Sequence, residues 1–316
     1  MNLFFATTID GVQMGLCFAI LALGVYISYS ILDFPDLSVD GTFPLGGVVC
    51  TILMLRAGIP PVLATALSFF AGFLAGTVTG VLHVKFRISN LLAGIIVMTA
   101  LLSVTLALTG FLTDGGNTTT IFSYRSKNLT GLFGGKLLSG LTSGQKDLAI
   151  LGILLLIVVG VKLLIDLFLK TKLGYMIRAT GDNEGLVSVL GKDSGQYKIL
   201  GLALANGFSA VSGAVYSHLY MQYDNTCGSG KVVLALASVI IGTAVFSRIR
   251  FFKDTTAVIC GAIVYSLCLN YLVLVDTNGI YLKLLNAVLF ALILIFNEKT
   301  ATLFKRRVTQ KRGETV

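Results

Sequence analysis

Apolar residues along this chain come in long unbroken runs. Nine stand out, at about Gly11–Leu32, Gly41–Leu55, Pro61–Val84, Leu91–Leu112, Leu148–Leu169, Gly195–Leu219, Val232–Phe246, Thr255–Val275 and Tyr281–Phe296. They do not alternate with polar residues, so they predict helices and not the period-two strands of an outer-membrane barrel. Crossing the hydrocarbon takes about 20 helical residues, within a range near 17–25. The second and seventh runs are short for that and fit tilted, broken or re-entrant elements. The pattern predicts an all-α fold, a polytopic integral membrane helix bundle of about nine transmembrane helices, forming a single unit over residues 1–316.

The positions of the basic residues orient the bundle. With the C-terminal tail (about 298–316) in the cytoplasm, nine spans put Lys85 and Arg87, the group Lys170, Lys172, Arg178, Lys192 and Lys198, and the trio Arg248, Arg250 and Lys253 on the tail's side. Sixteen of the 24 Lys and Arg then face the cytoplasm, and the N-terminus lies outside. This is the bias that the positive-inside rule describes. The N-terminus lacks a basic n-region and its apolar run exceeds an h-region, so no cleavable signal peptide is expected. A polar stretch at about 113–147 forms an outer loop between four spans and five. It carries two glycosylation-type triplets, at Asn117 and Asn128.

Composition narrows the class further. Of 316 residues, 55% are hydrophobic and only 12% charged, with a mean hydropathy of +0.88. Soluble domains are typically about 25% charged, so a soluble globule, a disordered chain and a disulfide-stapled module are excluded. The net charge of +9 follows from the cytoplasmic face and tail, and no nucleic-acid partner is implied. Cys17, Cys50, Cys260 and Cys268 lie inside apolar runs and read as small core residues. The 35 Gly suit helices that pack closely in lipid.

No cluster of reactive groups points to an enzyme. His83 and His218 fall on opposite sides of the membrane and cannot share a metal. The segment Cys227-Gly228-Ser229-Gly230-Lys231-Val232 resembles a P-loop only faintly, because Val follows the Lys and Asn225 stands where the first Gly belongs. Lys162 and Asp166 share a helix face at i, i+4, which fits either an ion relay or a pair snorkelling at the cytoplasmic interface. No span carries a mid-membrane Asp, Glu or Arg, which weighs against a proton- or sodium-driven carrier.

Two segments carry more information. Phe34-Pro35-Asp36-Leu37-Ser38-Val39-Asp40-Gly41 precedes a short run broken by Pro44, Gly46 and Gly47. A turn explains Pro and Asp, and a broken helix lining a pathway explains them equally. In the segment at about 170–194, Asp182 and Asn183 can cap a short helix that has Glu184 in its first turn, apolar Leu186, Val187, Val189 and Leu190, and Gly191 as its stop. Such a helix suits a lipid surface or a groove on a soluble partner. Gly72, Gly76 and Gly80 in the third run permit close helix contact, within the chain or between copies.

At this cytoplasmic segment the chain resembles permease subunits of bacterial ATP-binding-cassette importers, of the branched-chain amino-acid and ribose type. Gly174, Arg178, Ala179, Gly181, Asn183, Glu184 and Gly191 match that family's cytoplasmic loop motif. The stretches GVQMGLCFAILALGVYISYSI, DLSVDG and VVLALASVIIGTAVFSR match others in the same order. Ser247-Arg248 departs from the family's usual Gly-Gly.

The resemblance implies a coupling helix, carried by Gly174, Arg178, Ala179, Asn183, Glu184 and Gly191, that docks on a separate cytoplasmic ATPase subunit. It implies that ATP and Mg are bound by that partner, with no cofactor in this chain. An extracellular solute-binding protein and a second permease subunit, as a homodimer, complete the expected assembly in the bacterial plasma membrane. Polar residues proposed to line the pathway are Asp36, Ser38, Asn90, Asn206, Ser209 and Ser238, with Ser212 and Asn270 beside them. The expected solute is an amino acid, aromatic ones included. Sugars or nucleosides are the alternative, and a secondary carrier is the contrasting class.

Overall fold

The computed structural model describes residues 2–112, 121–124, 131–133, 142–246, 253–275, 284 and 286–295. The tail at 298–316, the two glycosylation-type triplets, Ser247-Arg248 and much of the 113–147 stretch lie outside the described residues.

The first span is α1 (Asn2–Val25), which continues through a π-helical turn at Tyr26–Ile31. An extended stretch leads to α2 (Val39–Ala57). The residue after α2, Gly58, adopts a left-handed conformation (φ 62°), and Pro60 is extended before Pro61 opens α3 (Pro61–Val84). Gly after a helix and Pro in the first turn of the next make a tight hairpin. Next come α4 (Asn90–Leu112), strand β1 (Ile121–Ser123) and α5 (Ser143–Leu169).

Two short helices follow, α6 (Lys172–Asp182) and α7 (Glu184–Val189), then α8 (Ser194–Tyr220) and strand β2 (Gln222–Asp224). A 3₁₀ turn at Asn225–Gly228 leads into α9 (Lys231–Ile241), which ends in a second π-helical turn, Gly242–Phe246. The chain continues in α10 (Asp254–Val275), and residues Asn286–Ile295 form α11. Among the described residues, eight helical segments are long and apolar enough to cross a membrane, and α11 is a shorter apolar helix. This is a polytopic helical membrane protein. Among the described residues one ribbon pairs β1 with β2 antiparallel, Phe122 opposite Tyr223.

The core forms around α8. Glycines let α2 and α3 come to backbone contact with it. A Cβ at Gly46 would run into the Ala210 carbonyl, and one at Gly213 into that of Phe43. Gly72 and Gly76 meet the Asn206 and Leu202 carbonyls in the same way, while Gly80 meets Ile199. The glycine stripe of α3 is therefore spent on packing inside this chain. Leu156, Leu74 and Phe70 on α5 and α3 are exposed at 74%, 66% and 61%, as lipid-facing residues should be.

The sequence reading put one helix in the 170–194 segment, and the structure has two. Thr171 caps α6 by accepting from the Gly174 amide (3.3 Å). Asn183, not Asp182, is the hinge cap: its backbone ends α6, and its Oδ1 accepts from the Leu186 amide (3.2 Å) to start α7. Asp182 is the last residue of α6.

Candidate functional site

Two of the membrane segments begin deep inside the bundle. At 1.5 Å per residue, α8 is about 40 Å long, and Asn206 lies near its middle. Ser38, just before α2, has its Oγ 3.0 Å from Asn206 Oδ1, and Thr42 Oγ1 lies 2.9 Å from the same atom. So α2 starts near mid-depth, reached by the extended stretch after Ile31. From the end of α8 the chain turns back inward. Gly228 lies against the Asp40 carbonyl, where a Cβ would collide with it. That carbonyl is the one left without a helical donor, because Pro44 has no N–H. α9 therefore also begins near the level of the first turn of α2.

Each of these helix starts is held by a carboxylate. Asp36 accepts from the Ser38 amide (2.8 Å) and from the Asn206 amide group (2.7 Å), with Ser38 Oγ at 2.6 Å. Asp40 reaches across to α9, accepting from the Gly230 amide (3.0 Å) and the Val232 amide (2.7 Å). An acidic side chain at a helix N-terminus offsets both the orphan N–H groups and the positive end of the dipole. Reading the Asp residues as a loop between spans left the mid-depth without carboxylates. The structure corrects this: Asp36 is 4% exposed, and Asp40 belongs to a span.

The proposed pathway residues separate into groups. Asp36, Ser38, Asn206 and Ser209 come together, all buried, with Thr42 linking Asn206 to Ser209 (3.1 Å). Ser238 is buried in α9, its hydroxyl donating to the Leu234 carbonyl (2.8 Å). Ser212 donates to the Cys17 carbonyl (2.9 Å), and Asn270 to the Ser266 carbonyl (3.2 Å). Asn90 opens α4, one turn before Gly94, which lies against Asp36. In this conformation the buried groups bond to the protein and not to a cavity.

The open space lies beside them. A cavity of about 500 Å³ is lined by Asp40, Gly41 and Pro44 of α2, Met98, Thr99 and Leu102 of α4, and Asn225, Thr226 and Ser229 of the inward-turning loop. The sequence reads this loop only as a faint P-loop on the outer side and the short run after it as tilted, broken or re-entrant, without placing the loop inside the bundle. Behind it, Lys231 extends into a cage of rings, 4.3 Å from the centroid of Phe18, 5.3 Å from Tyr216 and 5.7 Å from Phe43. These are cation–π distances.

The face carrying α6 and α7 is tied to the spans. Gly181 packs against the Ile31 carbonyl and Gly174 against that of Phe168, both too close for a Cβ. Ile177 is fully buried, Ala179 is partly so, and Arg178 is exposed. Glu184 pairs with Lys198 (2.7 Å) and accepts from Ser194 (2.9 Å), which fastens α7 to α8. The Lys198 hydrogen bond holds the Glu184 carboxyl below the usual glutamate range. Gly191 adopts φ 69° just after α7. Val189, Leu190 and Leu186 are exposed at 87%, 62% and 56%.

Elsewhere, Lys162 pairs with Asp166 (3.1 Å), and Asp166 also takes Lys253 (3.3 Å) and the Thr255 hydroxyl (2.8 Å), so the pair joins α5 to α10. Among the described residues, no group of three or more His, Cys, Asp and Glu is placed to hold a metal ion.

Residues 7–297 match the family model described as the permease component of branched-chain amino acid transport systems. The chain belongs to this permease family. A tyrosine transport system permease protein of Clostridioides difficile is 39% identical over 280 residues, covering 89% of this chain and 88% of that one. An uncharacterized protein of Rickettsia prowazekii is 32% identical over 289 residues, covering 89% and 95%. The ribose import permease protein RbsC of Haemophilus influenzae is 24% identical over 285 residues, covering 89% and 79%. No solved structure matches.

Proposed function

We propose that this permease forms half of the translocation pathway of an ATP-driven amino-acid importer. The observation that carries the reading is the irregular loop at 225–230, open on a cavity near mid-depth. Non-helical backbone at that depth is tolerated only inside protein or along a water-filled space. The cavity is therefore part of the path, closed on its open side by a second copy of the chain. Likeness to a tyrosine permease favours an aromatic amino acid as the solute, and likeness to ribose permeases leaves a sugar as the competing outcome.

The remaining assembly follows from the exposed face. α6 and α7 lie in the cytoplasm with the C-terminal tail, in a bacterial plasma membrane. The apolar patch of Leu186, Val189 and Leu190, beside Arg178, docks on a separate ATPase subunit that holds ATP and Mg. Arg178 meets that partner, while Asn183 and Glu184 set the angle of α7. An extracellular binding protein delivers solute from the other side.

The test is uptake of labelled L-tyrosine and D-ribose by cells expressing the permease with its genomic neighbours. Uptake of tyrosine that requires a working ATPase and is lost with Val189→Glu supports the reading. Uptake that persists without any ATPase would make the protein a secondary carrier.

A further inference from the structure

Among the described residues Asp40 is the one charged side chain lining the mid-depth cavity. Its two oxygens accept the Gly230 and Val232 amides, and the Lys231 amide adds a weaker backbone contact. A carboxylate offers about four acceptor positions, so capacity for a further donor remains. The Lys231 ammonium acts on Asp40 through its field but does not fill that capacity. That ammonium points away, over Phe18, Tyr216 and Phe43. Among the described residues Asp40 makes no ion pair. The interaction with Lys231 is therefore one of field and not a direct ion pair, and a carboxylate near the bilayer centre marks a site that a ligand or ion can complete.

The rest of the cavity shows what would complete it. Pro44, Met98 and Leu102 form an apolar wall, and a thioether there suits the edge of an aromatic ring. On the opposite rim Asn225 accepts from the Tyr223 hydroxyl (2.9 Å) through Oδ1, and its amide donors have no partner among the described residues. A volume of about 500 Å³ is within the usual span of small-molecule sites.

We infer that this cavity is a solute site in which Asp40 takes the ammonium group of an α-amino acid. The Asn225 amide faces the solute carboxylate, and the side chain lies on Pro44, Met98 and Leu102. This rests on the importer reading and adds to it a basis for choosing amino acids over sugars within the membrane. Asp40 keeps its hold on α9 throughout, since the two backbone bonds use different lone pairs.

Charge-selective labelling tests this. Ser229→Cys places a thiol on the cavity rim, in a chain keeping buried Cys17 and Cys50 and with Cys227, Cys260 and Cys268 changed to Ala. Membranes are treated with 2-aminoethyl or 2-sulfonatoethyl methanethiosulfonate, and the ratio of the two rates is read. Replacing Asp40 by Asn should lower that ratio about tenfold, the size expected for losing a charge-assisted contact. Asp40→Glu should keep it high. In the Asp40 chain L-tyrosine should slow labelling, and 3-(4-hydroxyphenyl)propionate, which lacks the ammonium, should not.

A ratio that moves less than about twofold, or equal protection by the two compounds, overturns the assignment. If Asp40→Asn does not insert, the protection comparison decides it alone. Failure of the importer reading shows separately, as absence of tyrosine uptake by the unmodified chain, because labelling needs no ATPase.

Discussion

Asn206→Ala is the most informative single perturbation of the buried network. The side chain donates to Asp36 Oδ2 (2.7 Å) and to the Leu202 carbonyl (3.0 Å), and its Oδ1 faces the hydroxyls of Ser38 and Thr42. Truncation leaves one Asp36 oxygen without its donor in a site where Asp36 is 4% exposed. Removing a partner from a buried charged group costs about 1.5–3 kcal/mol for the bond, and the stranded group adds to that. Hydrogen bonds within membranes measure less, about 0.6 kcal/mol on average, because the unfolded chain in lipid also finds partners. The carboxylate tips the balance toward the larger figure, so a loss of about 2–3 kcal/mol is expected. The chain has no Trp, and unfolding is best followed with a thiol-reactive dye in SDS titrations. Cys17 and Cys50 are fully buried and become reactive on unfolding, above the background from exposed Cys268. A double-mutant cycle with Asp36→Asn isolates the pair. A coupling below about 0.5 kcal/mol would refute the idea that Asn206 and Asp36 fasten α2 to α8.

Other outcomes follow from the same geometry. Gly213→Val should prevent assembly of the bundle, since its side chain would meet the Phe43 carbonyl; the monodisperse fraction in detergent is the readout, and a normal elution profile would count against the close α2–α8 contact. Val189→Glu should insert and elute normally yet lose coupling, seen as ATPase activity in the assembled transporter that no longer responds to loaded binding protein. The Glu184–Lys198 pair should stabilise α7 above the ordinary glutamate range and lose its effect as pH falls through the lowered value. Hydrogen exchange at 185–190 should accelerate only in that acid window, and Glu184→Gln should remove the dependence. Lys231→Met should preserve the packing against Phe18 and cost about 1–2 kcal/mol in the same dye assay, the value of a desolvated cation–π contact.

The helical class was legible because an unbroken apolar run has one interpretation in lipid, and eight of the nine runs appear as full-length candidate spans. Their short second and seventh members were legible as irregular. What they were irregular for was not, because that depends on height within the bundle. Asp40 and Lys231 lie 191 residues apart in sequence, and only packing against α8 brings their segments to one level. Local motifs fared better: Asn183 as a cap and Gly191 as a stop are set by a few neighbouring bonds. α6 was missed because its placement is set by the burial of Ile177 and the close packing of Gly181 against elements distant in sequence.

The glycine contacts around α8 have a mechanical consequence. Helices whose backbones touch have no side-chain cushion to slide on, so α2, α3 and α8 form a stiff keel. Gly181 joins α6 to the foot of α1 with equal closeness. A push delivered at α6 would then reach the first π-helical turn directly, because Gly181 meets the Ile31 carbonyl. The two π-helical turns, Tyr26–Ile31 and Gly242–Phe246, have a wider coil than the α-helix around them and are the chain's natural points of flexure.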